Sequence, residues 1–203
     1  VALAEQILAI VNELLPTQDL LLKAGTAVDA PLIAAPTSST KNKDRKRDPE
    51  MHSSQKGNEW RFGMKAHTGI DADSGLVHTV IGTSGNVADV VEGNSLLHVE
   101  EKDGFGDAGN QGERNVAHSD ASGQAQRAGQ REQPRRRAHR PSGEKIKASI
   151  RAKAERPFRA IKRQFGDLKV RYRGLKKNTL QLKTLFALSN LRMVRHQLLA
   201  AQA

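Results

Sequence analysis

The sequence predicts a mixed α/β domain. Two patterns carry that expectation: apolar residues at helical spacing toward both ends, and an alternating strand–turn–strand pattern between them. Residues 1–22 put Leu3, Ile7, Ile10, Val11, Leu14 and Leu15 at helical spacing, and Pro16 closes that helix. GTAVDAPLIAAP (25–36) reads as a strand interrupted by proline, hence short or at an edge. Residues 37–58 are polar, charged and without period, which describes an exposed loop. EWRFGMKAHTGID (59–71) and LVHTVIGTSGN (76–86), with DADSG between them, form an antiparallel hairpin. VADVVEGNSLLHVEE (87–101) is a short helix, and DGFGDAGNQG (103–112) a very short strand running into a glycine-rich turn.

The pattern then changes. From Gly109 to Lys145 no aliphatic side chain exceeds alanine apart from Val116 and proline, and Arg, Gln, Ser and Gly dominate. Such a stretch cannot bury enough surface to offset its ordering entropy, so 113–143 reads as disordered. Order returns with Ile146, Ile150, Ala154, Phe158, Ile161 and Phe165 on one helical face, with Pro157 marking a kink or a second start. A last amphipathic helix covers 179–201.

Composition bounds the function. The 203 residues carry 33 Lys+Arg against 22 Asp+Glu, a formal charge of +11, which favours a polyanionic partner. No apolar run approaches the roughly 20 residues that span a bilayer, so no membrane partner is expected. With no cysteine, any metal must take O or N ligands. Aromatic residues are too scarce, at 3%, for a reader of single strands built on stacking.

Three carboxylates stand out. Asp29 and Asp107 end short strands among small residues, where strand propensity disfavours Asp and a ligand-facing carboxylate would explain it. Glu155 sits alone in a basic run, ASIRAKAERPFRAIKRQFG. Arg151, Glu155 and Lys162 lie at i, i+4 and i+11, one broad helical face. Converging carboxylates would bind Mg²⁺ or Mn²⁺, and a pair of such ions about 3.5–4 Å apart suits phosphodiester chemistry. The bland alternative is that each Asp caps a turn. Lys65 and His67 share a strand face that could meet DNA or the acidic cluster, although a structural histidine is an equal reading.

The strings GTAVDAPLIAAPTSSTKNKDRKRDPEMH, FGDAGNQG and IRAKAERPFRAIKRQFGDLKVRYRGLKKN, with the hairpin between them, resemble the transposases of the insertion-sequence 5 family of bacterial mobile elements. The likeness covers roughly 1–112 and 144–196. It implies a ribonuclease-H-like mixed sheet with flanking helices, incomplete where 113–143 replaces an apolar strand. It implies a DDE transposase in which Asp29, Asp107 and Glu155 are catalytic and bind Mg²⁺ or Mn²⁺. Arg151, Arg159, Lys162 and Lys65 would contact double-stranded DNA, transposon ends and target alike. The signature Tyr-x2-Arg-x3-Glu-x6-Lys falls on Ala148, Arg151, Glu155 and Lys162, with alanine in place of tyrosine. Asn110 likewise stands where the family has tyrosine. The implied organisation is the end of an N-terminal helical region over 1–22, then a catalytic domain over 23–203 with the insert 113–143. The implied setting is a homodimer on DNA in the bacterial cytoplasm, associated with the nucleoid. A DNA-binding remnant without catalysis is the alternative.

Overall fold

The computed structural model describes residues 2–21, 25–36, 47–97, 103–105 and 143–201. Within them the order is α1 (Ala2–Thr17), β1 (Gly25–Asp29), β2 (Leu32–Ala34), β3 (His52–Lys56), β4 (Glu59–Asp71) and β5 (Val77–Ser84). Then follow α2 (Asp89–Leu96), β6 (Asp103–Phe105), α3 (Gly143–Arg163) and α4 (Leu175–Ala200). This is the expected mixed α/β architecture. Of the stretch 113–143 expected to be disordered, residues 113–142 lie outside the described residues and Gly143 opens α3.

The thirteen-residue β4 is the axis of a six-stranded sheet. On one edge it pairs antiparallel with β3 and then β5, so that Gly63 faces His52 and Met64 faces Ser84. On the other edge it pairs antiparallel with β2 and β1, with Leu32 opposite Lys65 and Asp29 opposite Thr68. The interruption at Ala30–Pro31 separates β1 from β2, as the sequence expects. β6 then joins the far side of β1 in parallel, Ala27 opposite Phe105. Across the sheet the order is β5–β4–β1–β6.

β3 corrects the expectation of a loop over 37–58. Its residues His52, Ser53 and Gln55 are exposed, so neither face leaves an apolar alternation to read. The available signal was Gly57–Asn58, a two-residue hairpin turn in which Gly57 takes φ +63°. Pro16 does not stop α1 before itself. It lies inside the last turn, and the helix closes at Thr17. Pro157 likewise sits within one continuous α3, and α4 begins at Leu175 rather than 179.

Helices cover both faces. α2 lies over one, where the Leu96 carbonyl would be 2.7 Å from a Cβ at Gly69. On the other, a Cβ at Gly82 would meet Thr179 Oγ1 at 2.0 Å, so α4 reaches β5 only because residue 82 has no side chain. Buried Leu8, Val11 and Leu15 of α1 share a core with Leu182, Phe186 and Val194 of α4. Phe158 of α3 meets Phe186 edge to face, centroids 5.0 Å apart. These contacts clamp the sheet between helices and fix α3 against β1.

Candidate active site

The site is built from the end of β1. Asp29 is its last residue and is half-buried. The Ala30 amide donates to Asp29 Oδ1 at 2.9 Å, and the Thr68 hydroxyl donates to the Asp29 carbonyl at 3.1 Å. The strand end is thus held from the following residue and from β4. Asp107 lies two residues beyond Phe105, as Asp29 lies two beyond its partner Ala27. Asp107 itself falls outside the described residues.

α3 carries the third expected carboxylate. Ile150, Ala154, Phe158 and Ile161 are buried. Arg151, Glu155 and Lys162 each follow one of these residues, a step of about 100° around the helix. They therefore share the flank of the buried stripe. Arg151 and Glu155 are exposed there and Lys162 is half-buried, while Arg159 is exposed. Two residues before Glu155, the Lys153 ammonium donates to the Ala72 carbonyl at 3.1 Å, and the Ala72 amide donates to Gly25. That contact lies at the start of β1, about 13 Å of strand from Asp29. These anchors alone do not bring Glu155 onto Asp29.

Lys65 and His67 sit under α2. The Lys65 ammonium donates to Asp89 Oδ1 and to the Val87 carbonyl, both at 2.7 Å, and its side chain is 14% exposed. Its charge is engaged within the fold, a pairing across 24 residues that no local pattern announces. His67 is fully buried, with Nε2 against the Thr83 hydroxyl at 2.7 Å and Nδ1 without a hydrogen-bond partner. Burial holds its pKa below the ordinary value, against the raising influence of Asp89 and Glu92, and Lys65 lowers it further. Asp71 holds a turn through the Ser74 amide and hydroxyl, and Asp89 and Glu92 open α2.

Carboxylate oxygen suits a hard divalent ion, and the chain has no thiolate to offer a softer one. Among the described residues, no three His, Cys, Asp or Glu side chains form a group that could hold a metal ion. Asp107 is not one of the described residues. No helix among the described residues is long and apolar enough to cross a membrane.

The strand order β5–β4–β1–β6, antiparallel but for β6 beside β1, is a ribonuclease-H-like arrangement with flanking helices. The chain belongs to the Transposase DDE domain family, whose model matches residues 21–191. No solved structure matches it. Membership makes this a transposase domain, a protein of DNA transposition and recombination whose substrate is DNA. Its family generally works with divalent metal ions.

Proposed function

We propose that the chain derives from a bacterial insertion sequence of the insertion-sequence 5 family and cuts and joins that element's DNA ends. The observation that carries this is the parallel pairing of β1 with β6, Ala27 opposite Phe105. Carried two residues further, that register would set Asp107 level with Asp29. Two carboxylates would then leave adjacent strands at one sheet end, where open α/β sheets take their ligands. Glu155 would complete the set from α3.

Asp29, Asp107 and Glu155 would hold Mg²⁺ or Mn²⁺, which activates the attacking oxygen and offsets charge on the leaving one. The side chains around them do the positioning. Arg151 and Lys162 flank Glu155 and would hold phosphates on either side of the scissile bond, with Arg159 on the outer surface of the same helix. Lys65 can contact DNA only by releasing Asp89. In the first step a water oxygen bonds to phosphorus as the P–O3′ bond breaks, freeing a 3′-hydroxyl. That hydroxyl then loses its proton and attacks a target phosphorus, displacing the target's own 3′ oxygen. Joining both ends of one element to a target would bring two catalytic domains together, so the reading extends to a homodimer on DNA, in the bacterial cytoplasm with the nucleoid. In this assignment 23–203 is the catalytic domain and 1–22 a helical region outside it.

A second reading rests on residues 113–143, whose composition lacks the apolar residues of a core strand. Without one, β6 would be an edge strand and the support behind Asp107 reduced, leaving DNA binding without catalysis. One assay separates the two. Purified chain is incubated with duplex bearing the element's ends and Mn²⁺, beside Asp29→Asn and Glu155→Gln. End cleavage falling at least a hundredfold in both variants supports the enzyme. Binding without cleavage in the parent chain supports the remnant.

A further inference from the structure

The segment between α3 and α4 is fixed more firmly than a connecting loop needs to be. The buried Asn178 accepts from the Arg171 and Tyr172 amides at 3.3 and 3.0 Å. It donates to the Tyr172 and Gly174 carbonyls at 2.8 and 2.7 Å. Val170 is buried and its amide donates to Ala34 at 3.0 Å, which ties the segment to β2. Arg171 stays exposed but is tied back to the segment, its guanidinium donating to the Gly166 carbonyl at 3.1 Å and pairing with buried Asp167 at 3.4 Å. Yet on this rigid mount Tyr172, the one tyrosine of the chain, is 52% exposed. Lys169, Arg173, Lys176 and Lys177 surround it in sequence, and all four are exposed.

Three carboxylates brace the same region. Asp48 accepts from the Gly174 amide at 2.6 Å and Glu50 from the Leu175 amide at 2.5 Å, so both cap the start of α4. Asp167 is held by Arg171 and by Gln181 at 3.0 Å. What faces outward on this braced backbone is a half-exposed aromatic ring with the exposed Lys169, Lys176 and Lys177 close to it in sequence. A half-exposed ring held on a braced loop beside lysines suits a partner with a flat face and negative charge. Nucleic acid offers both, since every base has a π-face and every linkage a phosphate. One ring is too little for a single-strand platform, in keeping with the scarcity of aromatics, but it suffices for one base.

We infer that loop 164–174 is a DNA-contact element in which Tyr172 stacks on one unpaired or displaced base while the neighbouring cations hold flanking phosphates. The inference rests on the DNA reading proposed above and assigns a second contact surface, apart from the carboxylates.

The test uses the full chain and two fluorescent duplexes, one fully paired and one with a single bulged 2-aminopurine. The parent chain should bind the bulged duplex roughly tenfold more tightly, with 2-aminopurine emission quenched on binding. Tyr172→Ala should lose both the preference and the quench while binding paired duplex as before, and Tyr172→Phe should restore them. Because the ring is exposed and Asn178 holds only backbone, the variants should keep the parent circular dichroism spectrum. Equal binding of both duplexes by the parent chain, or a quench that survives Tyr172→Ala, overturns the inference alone. Failure to bind either duplex overturns it together with the DNA reading.

Discussion

Asn178 is 3% exposed and directs its entire hydrogen-bonding capacity to backbone groups of the preceding loop. Asn178→Ala should therefore strand several polar groups and cost about 2–3 kcal/mol in urea unfolding, far more than a surface substitution. Two buried titratable residues should act with opposite signs. Burial lowers the His67 pKa below 6.5, so between the folded and unfolded values the unfolded chain binds more protons. His67 thus costs stability as pH falls below 6.5, and His67→Gln should flatten that loss in a melting-temperature series. Burial raises the Asp167 pKa above 3.8, although Arg171 and Gln181 oppose the shift. Here the folded chain binds more protons, so stability falls as pH rises through the window just above 3.8. Asp167→Asn keeps the oxygen that accepts from Gln181 and should remove that fall, raising the melting temperature at neutral pH relative to its value at pH 4.

The free side of β5 shows how elements protect one another. Asn190 of α4 accepts from the Val77 amide at 3.0 Å and donates to the Val77 carbonyl at 2.7 Å, and Asn12 of α1 donates to the His78 carbonyl at 2.6 Å. Both helices thereby satisfy backbone that a bare edge would offer to another chain. The packing that permits this depends on Gly82, so Gly82→Ala should destabilise by roughly 1–3 kcal/mol through overpacking. Adding Thr179→Gly should recover part of the loss, a coupling readable in a double-mutant cycle. At this scale the sequence was legible where one face is buried and another wet. The β4–β5 hairpin and the Ile150–Ala154–Phe158–Ile161 stripe both follow from their periods. α1 was harder, because apolar residues run nearly all round it. Leu3, Ile10 and Leu14 matched the helical spacing yet are 68%, 61% and 43% exposed, whereas Leu8 is buried. Periodicity finds a helix but cannot choose between two apolar faces. The candidate site was legible only residue by residue. A strand-end Asp and an isolated Glu can be seen in sequence, but their separation depends on contacts such as Lys153 to Ala72 that join positions 81 apart.

The whole molecule carries a formal +11, and a charge of that size should govern its encounter with DNA. If Arg151, Arg159, Lys162 and one further cation each neutralise a phosphate, affinity should fall about a hundredfold between 50 and 200 mM salt. Fluorescence anisotropy across that range gives the slope, and it should vary little between unrelated duplex sequences. Charge alone would give such binding to many basic proteins, so it does not test the central claim. That claim is the proposed divalent-ion site held by Asp29 and Asp107. Electron paramagnetic resonance of Mn²⁺ titrated into the full chain tests it most directly, because bound ion drops out of the free-ion signal. The expected result is at least one bound Mn²⁺ per chain, lost in both Asp29→Asn and Asp107→Asn and retained in Asp73→Asn, an exposed turn residue. Mn²⁺ binding undiminished in both of the first two variants would contradict the account.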